Sequence, residues 1–356
     1  MRTELNPNAI SDEVLEKIFD EPGFGKFYTD HMVQIDWSTT DGWHNAVVKP
    51  YAPLSLDPAT SVMHYGQAIF EGLKAFRHPD GQVYAFRPGE NAKRFKSSAE
   101  RLAMPALPED VFIDALQNFL RIDGRWVSSR KEQSLYIRPF MIATEVGLGV
   151  RPSNRYSFFI IASPVGPYFP QGIKPVSVWI STEYVRAAPG GTGEAKCAGN
   201  YAASLIAQAQ AAQKGCDQVV WIDAIERKWI EEMGGMNLFF VYENRVLTPT
   251  LTGTLLRGIT RNSILSLAQD LGYESGETKI SVSDLVSGLE SGEITEVFAC
   301  GTAAAITPIG TIKSEQGTWK VGNGEPGAVT LSLRENLIAI QTGYKPDTHS
   351  WLMRLG

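Results

Sequence analysis

The feature that most restricts the fold is a missing rhythm. Strand-like and helix-like stretches follow one another along this 356-residue chain without a repeating strand-helix-strand unit, and the Gly/Pro-rich run GPYFPQGIKP (166–175) separates them into two groups. Before that run, FYTDHMVQIDW (27–37) and HNAVVKPYAPLSL (44–56) read as strands, residues 73–88 as a hairpin, and 134–144 and 156–165 as further strands. Two helices lie between them, one from Asn91 to near Pro105 and one through VFIDALQNFLRIDGRWV. The first residues read as a polar leader. After the run, 200–215 is predicted as one helix stopped by Gly215. DQVVWIDA, KWIEEM, MNLFFVYE and RVLTPT follow as short strands, then helices at 258–272, 282–292 and LSLRENLIAIQTG. This is a mixed α/β (α+β) pattern, with domains at 1–165 and 176–356 joined by a linker at 166–175. It argues against a dinucleotide-binding doubly wound sheet and against a TIM barrel.

Bulk properties narrow the function classes. A net charge of -6 with no lysine/arginine run gives no general attraction for nucleic acid or anionic membrane. Cys197, Cys216 and Cys300 are too few and too irregularly spaced for a disulfide framework or a four-ligand metal site, so no metal is expected. No segment approaches the ~18 apolar residues of a membrane helix, and the amino terminus lacks an apolar core of secretory length; a cytoplasmic location is the expectation.

Within GGTGEAKCAGNYAAS (190–204), Lys196 stands among glycines and alanines, with no acidic residue four positions away. Either it is a surface lysine in a loop, or its amine is used. A desolvated lysine has a lowered pKa and can attack a carbonyl. If the carbonyl belonged to pyridoxal phosphate, the phosphate would need helix N-terminal amides, hydroxyls and an arginine, and the ring nitrogen a carboxylate. Tyr201, Arg87, Glu232 and the helix start GITRNSIL, with Ile259 and Thr260, are candidates for these roles, although each is ordinary by itself.

Taken together, the strings FYTDHM, HYGQAIFEGLKAF, FRPGENAKRF, LYIRP, GPYFPQG, GGTGEAKCAGNYAAS, EEMGGMNLFF, LTPTLTGTLLRGITR and FACGTAAAITP resemble the branched-chain amino acid aminotransferases, in order over nearly the whole chain. These are fold type IV pyridoxal-phosphate enzymes. The resemblance implies a smaller N-terminal α/β domain and a larger C-terminal domain with a barrel-like mixed sheet. It implies reversible amino transfer between L-leucine, L-isoleucine or L-valine and 2-oxoglutarate, with pyridoxal 5'-phosphate as cofactor. By the same resemblance Lys196 is the Schiff-base lysine and proton shuttle, Glu232 the ring-nitrogen partner and Tyr201 the donor to the phenolic oxygen. Arg87, Ile259, Thr260 and Thr302 bind the phosphate, and Thr302 and Ala303 meet the substrate α-carboxylate. Phe70, Tyr65, Gly72, Tyr136 and Tyr168 line the side-chain pocket, and Arg138 admits the distal carboxylate of glutamate.

The resemblance further implies a homodimer in which a loop around Leu148, Gly149 and Val150 covers the partner's substrate. Mammalian members carry a Cys-x-x-Cys after the Gly-Thr-Ala turn; here Ala304 and Thr307 stand there, which argues against thiol control. Two other readings compete: a fold type IV relative acting on D-amino acids or as a lyase, and a cofactor-free binding protein on the same scaffold. The LYIRP and GPYFPQG strings and the chain length favour the branched-chain group. The intact set of Lys196, Glu232 and Arg87 argues against loss of the cofactor.

Overall fold

In the computed structural model, which describes residues 1–168 and 172–356, strand Ser134–Ala143 shows how the first sheet is built. Leu135, Ile137, Met141 and Ala143 are fully buried on one face, while Tyr136, Arg138 and Phe140 alternate onto the other. The buried side chains belong to one apolar cluster with Phe95 of helix Pro88–Arg101 and Phe112 of helix Glu109–Asp123. Phe95 meets Phe158 edge-on at 5.4 Å between ring centres. The sheet therefore has a packed face and a second face that carries Tyr136 and Arg138.

Within the described residues this sheet runs in the order Arg2–Thr3, Gly42–Pro50, His31–Ser38, Arg155–Val165, Ser134–Ala143, Leu73–Arg77, Val83–Phe86, Leu352–Arg354, with Ala68–Phe70 paired separately to Ser134–Ala143. The polar leader is structured. Arg2–Thr3 pairs in parallel with Gly42–Pro50, and helix Asp12–Asp20 is capped by Ser11 and buries Leu15 and Phe19. Its short apolar stripe is hidden when hydropathy is averaged over nine mostly polar residues.

The chain forms two units. One comprises Met1–Pro167, Ala195–Gly199 and Ala339–Gly356, the other Tyr168–Glu194 and Asn200–Ile338. The linker expected at 166–175 includes residues 169–171, which lie outside the described residues. Everything beyond it was expected in the second domain, yet two later segments group with the first unit, which thereby holds the larger share of the chain. Backbone pairing is the reason: Leu352–Arg354 is antiparallel to Val83–Phe86, and Cys197 bridges to Ile69.

In the second unit a mixed sheet closes on itself. Around the ring, Ile230–Met233, Gln218–Ile222, Val176–Ile180, Ala305–Ser314, Glu296–Gly301 and Met236–Val241 are successive neighbours, and the last pairs back to the first through Glu232 opposite Asn237. Closure leaves these strands no open edge. Helix Leu205–Gln213 sets Ala207 and Ala211 against Trp179, Val219 and Trp221. The single helix expected over 200–215 is instead two, Ala198–Ala202 and Leu205–Gln213. Ser204 explains the break, because its hydroxyl bonds the Tyr201 carbonyl at 2.7 Å and competes with helical pairing.

The aromatic junction under the first sheet yields a stability prediction. Phe95 is fully buried against Phe112 and Phe158, so Phe95→Ala is expected to cost about 3–5 kcal/mol, read as a lower midpoint in urea unfolding. A loss below about 1 kcal/mol, far under the usual cost of such a truncation, would show that the cluster does not hold the helices to the sheet.

Candidate active site

Backbone ties in the first unit fix where the Lys196 side chain starts. The Phe70 amide donates to the Lys196 carbonyl at 3.0 Å, the Lys196 amide donates to Ser98 Oγ at 2.9 Å, and the next residue bridges to Ile69. The amine reaches a point 4.7 Å from the centre of the Phe70 ring. Desolvation is the largest influence on it and pulls its pKa down to about 8; Arg94 acts in the same direction and Glu71 opposes both. A group with that pKa is neutral in about a tenth of molecules at pH 7 and in half at pH 8, whereas an ordinary lysine is almost wholly charged.

Glu71 and Arg94, not singled out from sequence, form the setting of that amine. Glu71 is fully buried, and Arg94 grips it with Nε at 2.7 Å and a terminal nitrogen at 2.9 Å. Asn91 Nδ2 at 2.7 Å and the Gly72 amide at 3.1 Å also donate to it. Burial pushes the carboxyl upward, but Arg94, Lys196 and Asn91 outweigh it and hold it below its ordinary range. The available signal was an acid in the middle of the apolar run AIFEGLKAF, where only a paired charge is tolerated.

Phe70, Gly72, Tyr136 and Arg138 come together. The Arg138 guanidinium lies 4.7 Å from the Phe70 ring centre and donates to the Tyr136 hydroxyl at 3.0 Å. Its Nε is buried and, among the described residues, has no hydrogen-bond partner. Gly72 is required by space, since a Cβ there would collide with the Tyr136 hydroxyl oxygen. Tyr65 instead donates to the Leu148 carbonyl, in a region where Leu148 is 65% and Val150 82% exposed. Arg87 adopts a left-handed conformation (φ 51°) at the start of helix Pro88–Arg101. Its amide bonds the Trp351 carbonyl at 2.7 Å and its guanidinium lies over the Trp351 ring. Burial lowers its pKa, with Glu90 opposing. A non-glycine residue held in that region is the kind of strain that persists where position matters.

The second unit gathers another set. Glu232 is almost wholly buried and is bonded by Arg186 Nε at 2.8 Å, the Leu256 amide at 2.6 Å and Asn237 Nδ2 at 3.2 Å. Arg186 also binds the carbonyls of Gly193 and Thr254. Asn237 links this carboxylate to a helix start, since a Cβ on Gly258 would collide with Asn237 Oδ1. Gly258 precedes helix Ile259–Asp270 and offers no side chain to cap its first turn, to which Ile259 and Thr260 belong. Thr302 and Ala303 sit in the three-residue turn joining two barrel strands, where Ala305 is left-handed (φ 59°). Cys300, next to that turn, is opposite Asn237, and burial pushes its thiol far up, which leaves it inert. Tyr201 packs its ring 3.4 Å from the position a Gly235 Cβ would take. Tyr168 also belongs to this unit and is 47% exposed. Arg186 and Asn237, missed from sequence, are recognisable only through the pairing that sets them beside Glu232.

Comparison with known proteins converges on one family. The model for amino-transferase class IV matches residues 68–312. A branched-chain-amino-acid aminotransferase of Mycolicibacterium smegmatis is 59% identical over 98% of this chain and 96% of its own. Among solved structures, the branched-chain amino acid aminotransferase of Escherichia coli superposes with a TM-score of 0.74 at 28% identity, over 91% of this chain and all of the other. A branched-chain aminotransferase of the thermophilic archaeon Thermoproteus uzoniensis, solved with norvaline, gives 0.74 at 25% identity, over 91% of this chain and 100% of the other. Another branched-chain amino acid aminotransferase, solved in complex with N-(5'-phosphopyridoxyl)-L-glutamate, gives 0.72 at 27% identity, over 90% of this chain and 98% of the other. With a desolvated lysine, a buried carboxylate and a helix start preceded by glycine each in place, and near-complete coverage by such relatives, this chain belongs to the class IV aminotransferases and, within them, to the branched-chain-amino-acid aminotransferases.

Proposed function

We propose that the chain reversibly transfers the amino group between L-leucine, L-isoleucine or L-valine and 2-oxoglutarate, giving the branched 2-oxo acid and L-glutamate, with pyridoxal 5'-phosphate as cofactor. The carrying observation is the surface around Phe70. The Lys196 amine and the Arg138 guanidinium both lie against its ring, and Arg138 keeps a buried donor without a partner among the described residues. An aromatic wall favours an aliphatic side chain by ~0.8 kcal/mol per buried methylene. The Arg138 guanidinium, 4.7 Å from the Phe70 ring centre, favours a carboxylate at the same wall. One pocket can thus take leucine and glutamate in turn.

The residues present fit the cofactor. Lys196 supplies a partly neutral amine for covalent attachment. Glu232, fixed by three donors, supplies a carboxylate for the ring nitrogen, and Tyr201 a hydroxyl for the phenolic oxygen. Arg87, the amides of Ile259 and Thr260, and the hydroxyls of Thr260 and Thr302 supply phosphate ligands. The chemistry the cofactor brings when bound is that of an electrophilic carbon joined to an electron-withdrawing ring. Lys196 Nζ takes the proton from the substrate Cα in one half-reaction and supplies one to Cα in the reverse. Glu71 and Arg94 hold that amine where it can exist in both states near neutral pH. The amides of the Thr302 and Ala303 turn orient the α-carboxylate.

We further propose a cytoplasmic homodimer. The support is an exposed apolar group on the first unit, Met63, Tyr65, Val146, Leu148 and Val150, of the kind that marks an association surface. Among the described residues no helix is long and apolar enough to cross a membrane.

Two outcomes check this reading. Borohydride reduction of the cofactor-loaded protein followed by peptide mapping is expected to place the label on Lys196, and a label on any other lysine overturns the assignment. Arg138→Met is expected to slow the L-glutamate half-reaction by about 10- to 100-fold, the worth of a charge-assisted hydrogen bond, and the L-leucine half-reaction far less. Equal losses would make Arg138 a support of the fold, and a preference for D-amino acids in the unmodified protein would overturn the substrate class.

A further inference from the structure

The first turn of helix Ile259–Asp270 carries a charge that runs against its own helix. Arg261 is 3% exposed and stands in that turn, which holds no acidic residue and follows a glycine. The start of a helix is its positive end, where anions are stabilising and cations are not. Burial adds a desolvation cost to the same guanidinium. One terminal nitrogen of Arg261 donates to the Pro249 carbonyl at 2.9 Å and pairs with the Glu277 carboxylate at 2.9 Å. Pro249 and Glu277 lie on neighbouring parallel strands, Arg245–Pro249 and Glu274–Thr278, so the guanidinium is held against both. The Arg261 Nε is buried with no hydrogen-bond partner among the described residues, and the Glu277 side chain is 36% exposed, where water screens its charge. The buried cation is therefore only partly neutralised by its partner. Its influence extends to Cys300, two residues before Thr302, where it opposes the upward push of burial on the thiol.

We propose, on the reading that the cofactor phosphate lies at this helix start, that Arg261 is a positioning residue for it: acting through space rather than as a ligand, its charge raises the positive potential at the amides of Ile259 and Thr260 and so strengthens binding of the phosphate. A charge in a low-dielectric interior acts more strongly than one in water. One fixed by a carbonyl and a carboxylate needs no rearrangement when the anion arrives. An anion at the turn also turns an unfavourable arrangement, a cation at the positive end of a helix, into a favourable one. An apolar side chain at position 261 would fill the same space without the desolvation cost, so the arginine is explained by what its charge does for the turn.

The test compares pyridoxal phosphate with pyridoxal, which lacks the phosphate, by absorbance titration of the full chain after removal of its cofactor. Arg261→Gln is expected to weaken pyridoxal phosphate binding about tenfold, the effect of a potential of a few kT, and to leave pyridoxal binding nearly unchanged. Arg261→Lys keeps the charge and is expected to retain most of the pyridoxal phosphate affinity. Glu277→Gln removes the counter-charge from a partly exposed position and is expected to tighten pyridoxal phosphate binding severalfold, a change opposite in sign to the loss of a structural support; it reads the same charge even if Arg261→Gln does not fold. Equal loss of both ligands in Arg261→Gln, or weaker pyridoxal phosphate binding in Glu277→Gln, would make Arg261 a support of the fold and overturn the proposal. Thr260→Val separates the two levels. Unchanged pyridoxal phosphate affinity in that variant would place the phosphate elsewhere and overturn the reading itself, whereas weakened binding there with undiminished binding in Arg261→Gln would overturn the role of Arg261 alone.

Discussion

The interaction on which the chemistry depends is the placement of the Lys196 amine beside a buried ion pair. Glu71 and Arg94 form a two-point contact with almost no exposure, and Asn91 and the Gly72 amide complete the carboxylate's bonding. Such a pair costs desolvation, and replacing it with apolar packing would often be no less stable. Its value here is electrostatic. Burial alone would drive the lysine far toward its neutral form; Glu71 restrains that fall and Arg94 adds to it, leaving a pKa of about 8. An amine that both accepts and gives up a proton near neutral pH is the requirement for a shuttle.

The barrel provides the corresponding fixity for Glu232. Its closing strand pair sets Asn237 opposite Glu232, and Asn237 packs against Gly258 at the head of helix Ile259–Asp270. One side chain therefore connects the carboxylate to the helix start proposed for the phosphate. Arg186 and the Leu256 amide hold the same carboxylate from two further directions. A group bonded this completely has little freedom to turn, which suits the role proposed for it as partner of the ring nitrogen.

The candidate residues were legible chiefly through the family resemblance of the nine strings, since apart from Lys196, a lysine in a small-residue loop, each is ordinary by itself. The helices and central strands were legible from period. What sequence did not reveal depends on pairing between distant segments. Leu352–Arg354 is three residues long and gains meaning only beside Val83–Phe86, and the grouping of Ala195–Gly199 with the first unit rests on contacts of Lys196 and Cys197 with residues 69 and 70. Glu71 declares itself as a buried, paired acid only when Arg94, 23 positions away, is seen to hold it. The break at Ser204 has the same character: a hydroxyl is compatible with a helix until its bond to the Tyr201 carbonyl is known.

The central claim is that Glu71 and Arg94 set the protonation of Lys196, and the most direct measurement is the pH dependence of Lys196 labelling by an amine-reactive reagent in cofactor-stripped protein. The expected midpoint is about 8 in the unmodified protein. In Glu71→Gln it moves lower, because the carboxylate that favours the ammonium is gone while Arg94 remains. A midpoint near the ordinary lysine value of 10.5, or one unchanged by Glu71→Gln, would contradict the account.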